Sequence, residues 1–237
     1  MEEDLPMSSS IAAIICTWNK RDDLLECLAS LAKVAGEPFD VVVVDNASSD
    51  GTTEAVRRRF PAAKLIVNTK NLGGAGGFNS GLRYVLDAGK YRFAWLLDND
   101  VVVDPGALTG LRAEFDRDPT VAIAGSLILR RDTPTTLQEL GARVSLETFE
   151  REPIYKDYPL AAIGKEPLEV DYVPACSLLV DLEKVRRVGL LDEEFFLYYD
   201  DVEWCIRMKR AGYRVMATPM SRVWHREGGR NRTSNLP

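Results

Sequence analysis

Two acidic residues one position apart follow an apolar segment in the first half of the chain. Residues 93–97 read Phe-Ala-Trp-Leu-Leu and are followed directly by Asp98, Asn99 and Asp100. An apolar run of this length is typical of a buried strand, so both carboxylates stand where the chain leaves a sheet. Carboxylate oxygens are the ligands that Mg²⁺ and Mn²⁺ prefer. The position at a strand end favours a metal site over a chance pair of acids.

A second acidic pair, Asp200 and Asp201, follows the aromatic-rich residues 195–199. We expect that aromatic run to be buried and to deliver both aspartates to the start of a helix. There they can stabilise the positive end of the helix dipole. A carboxylate beside an apolar wall can also have a raised pKa and act as a general base. The local sequence leaves both interpretations open.

His225 is the only histidine of the chain, and it follows the strand-like residues 222–224. A single histidine is more often structural than catalytic. Imidazole nevertheless suits Mn²⁺ better than Mg²⁺, which makes His225 a candidate third ligand beside the acids.

The elements that must position these residues begin with four predicted strands, at residues 11–16, 39–44, 64–67 and 93–97, with helices between them. The first two strands are predicted to be buried. This alternation predicts an α/β fold with a doubly wound, mainly parallel sheet. Ligands bind at the carboxyl ends of such strands, where Thr17, Asn19 and Asp45 lie. Asn19 also fits a helix N-cap, and for Asp45 capping and binding are equally open.

The glycine-rich residues 71–79 are predicted to form a loop, with a helix from about residue 78 to 88. Glycine lets a backbone approach a ligand closely. The spacing is not a dinucleotide fingerprint, because the third glycine position falls on Asn79.

The second half has a looser pattern. Helices are predicted at 106–115, 182–188 and 201–211, and strands at 121–129, 214–217 and 222–224. Residues 130–169 show no sustained period and predict an irregular insertion. We expect one domain over residues 1–237, with a first half (8–104), a smaller, mixed second half (105–230) and a tail (231–237).

Composition limits the classes of partner. The chain has 237 residues, 46% of them hydrophobic, and a net charge of −6, which suits one folded core and disfavours nucleic acid. The four cysteines show no paired spacing and predict core thiols in a reducing compartment. No apolar stretch reaches the length of a membrane span, so we expect a cytoplasmic protein.

Six short motifs occur in an order that resembles family 2 of the inverting glycosyltransferases, and most of all its bacterial rhamnosyltransferases and galactofuranosyltransferases. The resemblance runs from about residue 11 to residue 229. The motifs are Thr17-x-Asn19, Val44-Asp45-Asn46-x-Ser48-x-Asp50-Gly51, Asn71-Leu72-Gly73, Asp98-x-Asp100, Phe195-Phe196 with Asp200-Asp201, and Trp224-His225.

The resemblance implies the GT-A fold and a nucleotide diphosphate sugar as donor. Residues 8–104 would form the nucleotide-sugar-binding half and residues 105–230 the acceptor and catalytic half. It implies that Thr17, Asn19 and Asp45 hold the base and ribose of the donor. Asn71 and Asn79 would lie near the nucleotide.

The resemblance also assigns the acidic residues. Asp98 would contact the ribose or the metal, and Asp100 and His225 would bind Mn²⁺ or Mg²⁺ on the diphosphate. Asp201 would deprotonate the acceptor hydroxyl. The family pattern often has Glu-Asp at this pair, so Asp200 remains the alternative base.

The acceptor implied is a glycan or a lipid-linked saccharide at the inner face of the membrane. We expect residues 231–237 to lead into a missing C-terminal helix that associates with that membrane. Three rival classes are an aspartyl-nucleophile phosphatase, a sugar nucleotidyltransferase and a non-catalytic sugar-nucleotide-binding protein.

Overall fold

The structure is a computed structural model, and the description covers residues 9–148 and 150–226. Strands and helices alternate in the first half. The elements are β1 (Ile11–Thr17), α1 (Arg21–Leu31), β2 (Phe39–Asp45), α2 (Thr52–Arg59), β3 (Lys64–Val67), α3 (Gly73–Ala88) and β4 (Phe93–Asp98). Strand β1 pairs in parallel with β2 and with β4, and β2 pairs in parallel with β3. Both faces of β1 are covered, which explains its continuous apolar sequence.

The second half adds further strands to the same sheet, together with helices and a separate two-stranded sheet. The elements are β5 (Val101–Val103), α4 (Ala107–Arg117), β6 (Val121–Arg130), β7 (Leu137–Glu139), β8 (Ala142–Val144), β9 (Arg151–Pro153), β10 (Leu168–Glu169), β11 (Ser177–Asp181), α5 (Leu182–Val188), α6 (Asp200–Arg210) and β12 (Arg214–His225). The strand order is β10-β12-β6-β11-β4-β1-β2-β3, with β5 paired to β12 and β7 to β6, and the separate sheet is formed by β8 and β9. Strand β11 runs antiparallel to β4 and β6, whereas β12 runs parallel to β6.

This architecture confirms the predicted α/β fold, with a parallel region followed by a mixed one. Apolar side chains fill both faces of the sheet. Ile14, Val44 and Leu82 belong to the core under α3 and α6, and Ile15 and Leu24 belong to the core on the opposite face. The four cysteines are free, and three of them are buried.

Helix α3 begins earlier than the sequence predicts, because its glycines form the first turns of the helix instead of a loop. A Cβ at Gly77 would lie 2.1 Å from the Cys16 Sγ, and one at Gly81 would lie 2.4 Å from the Ile14 Cγ2. Glycine therefore lets α3 pack directly on β1. The close approach is to the protein's own strand.

Asn19 does not occupy the N-cap of α1, where the sequence placed it. The N-cap is Lys20, and Asn19 has a φ of 50°. The Asn19 Oδ1 accepts a hydrogen bond from the Ser49 backbone N at 2.8 Å, and the Asn19 N donates to the Ser48 Oγ at 2.9 Å. Asn19 thus joins the loops that follow β1 and β2.

The aromatic run before α6 is exposed, so the prediction that it is buried is wrong. The side chains of residues 195–199 are between 36% and 54% exposed. The segment is anchored by its backbone, since the Gly74 N donates to the Phe196 O at 2.8 Å. Tyr198 and Tyr199 have φ values of 73° and 65°. Such left-handed conformations cost energy in bulky residues and recur at functional sites.

Within residues 9–148 and 150–226, no helix combines the length and the apolar character needed to cross a bilayer. The prediction for the tail at 231–237 lies outside the described residues.

Candidate active site

A cleft of about 440 Å³ lies where β4, β7, β12 and the start of α6 meet. Its charged lining contains five carboxylates and three basic side chains: Asp98, Asp100, Glu139, Asp200, Asp201, Arg151, His225 and Arg226. A compact set of acids of this kind repels anions unless cations balance it. The cleft contains every residue that the sequence proposes for the metal and for the base.

Strand pairing brings His225 to the two acids of the first motif. After β4 ends at Asp98, the chain turns and enters β5, whose Val101 is paired with His225 of β12. The His225 Nε2 lies 3.3 Å from the Asp100 Oδ1. Ligand atoms of Asp98, Asp100 and His225 all lie within 4.8 Å of one another. Two hard oxygen donors and one imidazole are a donor set that fits Mn²⁺.

The electrostatics of this group favour a cation. Burial and the charge of Asp100 raise the pKa of Asp98 to about 7. Burial disfavours a charged imidazole, but the hydrogen bond to Asp100 and the charges of Asp100, Asp98 and Glu139 together outweigh burial and raise the pKa of His225. Both pKa shifts reflect burial, the mutual repulsion of the crowded carboxylates, and the attraction between those carboxylates and the His225 imidazole.

The two aspartates of α6 differ in how they are held. The Asp201 Oδ2 accepts hydrogen bonds from the Ala175 N at 3.0 Å and the Tyr172 hydroxyl at 3.2 Å. Burial raises the pKa of Asp201, and these hydrogen bonds oppose the shift. Burial and the charge of Asp201 raise the pKa of Asp200 to about 6. Asp201 therefore has a fixed orientation, whereas Asp200 faces Gly74, 3.3 Å from the place of a Cβ there.

The residues expected to bind the base and ribose lie at the ends of β1 and β2. The Thr17 Oγ1 accepts a hydrogen bond from the Asn99 Nδ2 at 3.0 Å, which connects it to the turn after Asp98. Asp45 is fully buried, and its carboxylate accepts from the Ser48 N at 2.8 Å and the Thr53 Oγ1 at 2.5 Å. Asp45 does not cap α2, whose N-cap is Gly51, but holds the loop between β2 and α2. Its contact with a nucleotide stays a prediction.

The two asparagines expected near the nucleotide lie at either end of the glycine-rich segment. The Asn71 Oδ1 accepts from the Gly73 N at 2.9 Å. Asn79 is buried, and its amide bonds to the Leu191 O at 2.8 Å, the Leu191 N at 3.1 Å and the Glu193 Oε1 at 2.9 Å. Asn79 thus positions the segment that leads to the aspartate pair. Its contact with a nucleotide also stays a prediction.

Sequence reasoning missed four cleft residues that come from the insertion and from the loop before β11. The Gln138 Oε1 lies 3.0 Å from the His225 Nδ1. Burial raises the pKa of Glu139 to about 7, although Arg151 at 3.3 Å opposes the shift. Arg151 in turn lies over the Tyr172 ring, 4.9 Å from its centroid. Residues 130–169 show no period in the sequence, so no local signal marks these side chains.

The family model for glycosyl transferase family 2 matches residues 12–177, about two thirds of the chain. This chain belongs to glycosyl transferase family 2. The matched region includes both acids of the first motif. Asp200, Asp201 and His225 lie beyond it.

Among curated proteins, the chain is similar to an N-acetylglucosaminyl-diphospho-decaprenol L-rhamnosyltransferase of Mycobacterium tuberculosis. The two are 27% identical over 97% of this chain and 81% of the relative. It is also 29% identical to the galactofuranosyltransferase GlfT1 of the same bacterium, over 87% of this chain and 66% of the relative. Both kinds of relative were expected from the motifs.

Among solved structures, GalNAc-T7 in complex with UDP, GalNAc and Mn²⁺ superposes with a TM-score of 0.75. The match covers 92% of this chain but 44% of that chain, at 18% identity, and so it supports the fold alone. The phosphatase alternative loses its basis, because its acidic motif belongs on a first strand. Here the motif follows three strand-helix units.

Proposed function

We propose that this family 2 glycosyltransferase transfers a sugar from a nucleotide diphosphate donor to an acceptor hydroxyl, with inversion at the sugar carbon. Asp98, Asp100 and His225 hold a divalent cation, Mn²⁺ or Mg²⁺, and Asp201 is the general base. The observation that carries the proposal is one cleft in which a three-residue metal-ligand group faces a separately held carboxylate.

The charge of the cleft supports metal dependence. Five carboxylates line it, so a free diphosphate would meet strong repulsion. A bound divalent ion neutralises charge on the departing diphosphate. Asp98 and Asp100 provide the oxygens for that ion, and His225 provides the imidazole. Arg226 lies in the same cleft, where its guanidinium is paired with Asp23 at 2.8 Å.

Asp201 suits the role of base because its carboxylate is buried and oriented. The hydrogen bonds from Tyr172 and Ala175 hold it in one position, while burial raises its pKa toward the range useful for proton transfer. The acceptor oxygen forms a bond to the sugar carbon as the bond to the diphosphate oxygen breaks. The hydroxyl proton passes to Asp201. A single displacement of this kind inverts the configuration.

The acceptor would approach from the side of the exposed aromatic run. A wider open groove of about 1030 Å³ adjoins the cleft and shares Arg151 and Tyr199 with it. Leu197, Tyr198 and Tyr199 of this run line the cleft, and Tyr199 also lines the groove. They suit the apolar faces of a sugar or the first part of a lipid, so we propose a glycan or lipid-linked saccharide as acceptor, reached at the cytoplasmic face of the membrane.

A donor screen tests the proposal without knowledge of the acceptor, because many transferases slowly release nucleotide into water. Purified protein is incubated with UDP-, dTDP- and GDP-sugars, including dTDP-rhamnose and UDP-galactofuranose, with Mn²⁺, Mg²⁺ or EDTA. We expect nucleotide release from one nucleotide class, dependent on the metal. Metal-dependent binding without release or transfer for any donor would instead indicate a non-catalytic sugar-nucleotide-binding protein.

A further inference from the structure

Strand β7 contains a bulge beside the cleft. Glu139 is paired with Ile128 and Leu137 with Leu129, which are consecutive residues of β6. Gln138 lies between the two paired residues of β7 and has no partner position on β6, so it is the extra residue of the bulge. An extra residue in a bulge leaves the regular ladder, and its side chain is turned to a new direction. As a result both Gln138 and Glu139 line the cleft, although consecutive residues of a regular strand point to opposite faces.

The direction of the Gln138 side chain is specific. Its Oε1 lies 3.0 Å from the Nδ1 of His225, and the other ring nitrogen, Nε2, faces the Asp100 Oδ1 at 3.3 Å. An amide oxygen can only accept a hydrogen bond. The Nδ1–H is therefore the donor of this hydrogen bond, and Nε2, which faces Asp100, is the nitrogen that can release its proton and bind a cation beside Asp98 and Asp100.

We propose that Gln138 is a positioning residue for the metal site: it fixes the ring orientation of His225 and keeps the proton on Nδ1, so that Nε2 is the ligand atom. This inference depends on the cation site of the proposed function. It assigns a purpose to the bulge, since a regular β7 would direct Gln138 away from the ring. Partners that hold the second nitrogen of a histidine ligand commonly contribute about 10- to 100-fold to metal affinity.

Direct titration of Mn²⁺ into the tag-free protein, followed by the electron paramagnetic resonance signal of free Mn²⁺, tests the inference. Gln138→Leu removes the acceptor oxygen at similar size, whereas Gln138→Glu keeps an acceptor oxygen and is the matched control. We expect Gln138→Leu to weaken Mn²⁺ binding about 10- to 100-fold, and Gln138→Glu, which keeps an acceptor oxygen and adds a negative charge to the cleft, to bind Mn²⁺ at least as tightly as wild type. Thermal unfolding of each variant checks that the fold is retained.

The outcomes separate the two proposals. If wild type binds Mn²⁺ and Gln138→Leu binds it equally well, the role of Gln138 is wrong and the metal site stands. If wild type binds no Mn²⁺, both are wrong.

A second readout needs no variant. Because the chain has one histidine, the ¹⁵N spectrum of the protein loaded with diamagnetic Zn²⁺ shows which ring nitrogen carries the proton. We expect a protonated Nδ1 and a metal-bound Nε2. The opposite assignment would overturn the inference even if Gln138→Leu failed to fold.

Discussion

The region where we propose donor binding, at the ends of β1 and β2 (the donor end), and the region where we propose proton transfer, at the start of α6 (the acceptor end), are built in different ways. At the donor end, polar groups satisfy one another: Asn19 joins two loops, and Asp45 accepts hydrogen bonds from Ser48 in the following loop and from Thr53 in α2. At the acceptor end, burial raises the pKa of both aspartates. Left-handed backbones occur in both regions, at Asn19 and Ala47 and at Tyr198 and Tyr199. Desolvated charge, and not backbone strain, therefore distinguishes the region where we propose proton transfer.

Asp201→Asn is the variant for which we expect the largest effect, and it tests the acceptor end. The amide keeps the size of the side chain but cannot take the acceptor proton, so we expect the transfer rate to fall by about 10²- to 10⁴-fold. Donor affinity should stay within a few fold, since a base acts on the acceptor. Rates of transfer to the acceptor and calorimetric nucleotide affinities measure the two effects.

Asp200→Asn is the matched control for that experiment, because it changes the neighbouring residue in the same helical turn. It should retain most of the activity. An inactive Asp200→Asn beside a nearly wild-type Asp201→Asn would move the base by one residue.

The metal group connects the two ends, and its ligands should act together. We expect Asp100→Ala and His225→Ala each to weaken Mn²⁺-dependent nucleotide binding by about tenfold or more. Since both contact one ion, the double variant should lose less than the sum of the single losses. Calorimetry in EDTA is the control, and there no variant should bind the nucleotide more weakly than wild type. Strictly additive losses would indicate that His225 is structural.

The stability of the donor end should depend on how closely α3 packs on β1, and not on charge. Gly77→Ala would place a Cβ 2.1 Å from the Cys16 Sγ, and we expect it to lower the free energy of unfolding by about 1–3 kcal/mol. Gly164→Ala, where a Cβ would meet no atom within 4 Å, should change it by less than about 0.5 kcal/mol. Urea unfolding measures both. An unaffected Gly77→Ala would contradict the tight contact of α3 with β1.

The smallest effect concerns the stability of the metal-free protein. The pKa of Asp200 is raised to about 6, against about 3.9 in an unfolded chain. Between about pH 3.9 and pH 6 the folded state therefore binds more protons at Asp200 than the unfolded state does. As the pH rises through this range, Asp200 lowers the free energy of unfolding. We expect Asp200→Asn to match wild type near pH 4 and to exceed it near pH 7 by on the order of 1 kcal/mol.

Asp118 provides a control in which the pH dependence of stability has the opposite sign. Hydrogen bonds from Thr120 and Arg214 lower the pKa of Asp118 to about 2, so its stabilisation is present above the unfolded pKa and is lost as the pH falls toward 2. Asp118→Asn should be less stable than wild type near pH 7. Unfolding curves for both variants across this pH range would contradict the account if Asp200→Asn were the less stable near neutral pH.

The sequence predicts the strands of the first half well, because β1 and β4 are buried and their apolar runs are continuous. Residues 182–188 also form the predicted helix. The start of α3 is mispredicted because glycine signals a loop locally, whereas here close packing requires it within a helix. The burial of residues 195–199 is mispredicted because aromatic composition does not reveal a surface next to a cleft.

The candidate site likewise contains some residues that the sequence reveals and others that it does not. Asp98, Asp100 and His225 could be found because acids at a strand end and a single histidine are conspicuous in the sequence. Gln138 and Glu139 could not, since a three-residue strand leaves no period and the bulge that directs both side chains depends on pairing with β6. Long-range pairing decides these positions.

The central claim is that a divalent cation joins the acidic cleft to the donor diphosphate. Calorimetric titration of the nucleotide diphosphate selected by the donor screen into wild-type protein, once with Mn²⁺ and once with EDTA, tests it most directly. The account predicts binding at least about tenfold tighter with Mn²⁺, since five carboxylates otherwise face the anion. Equal affinity under the two conditions would contradict it.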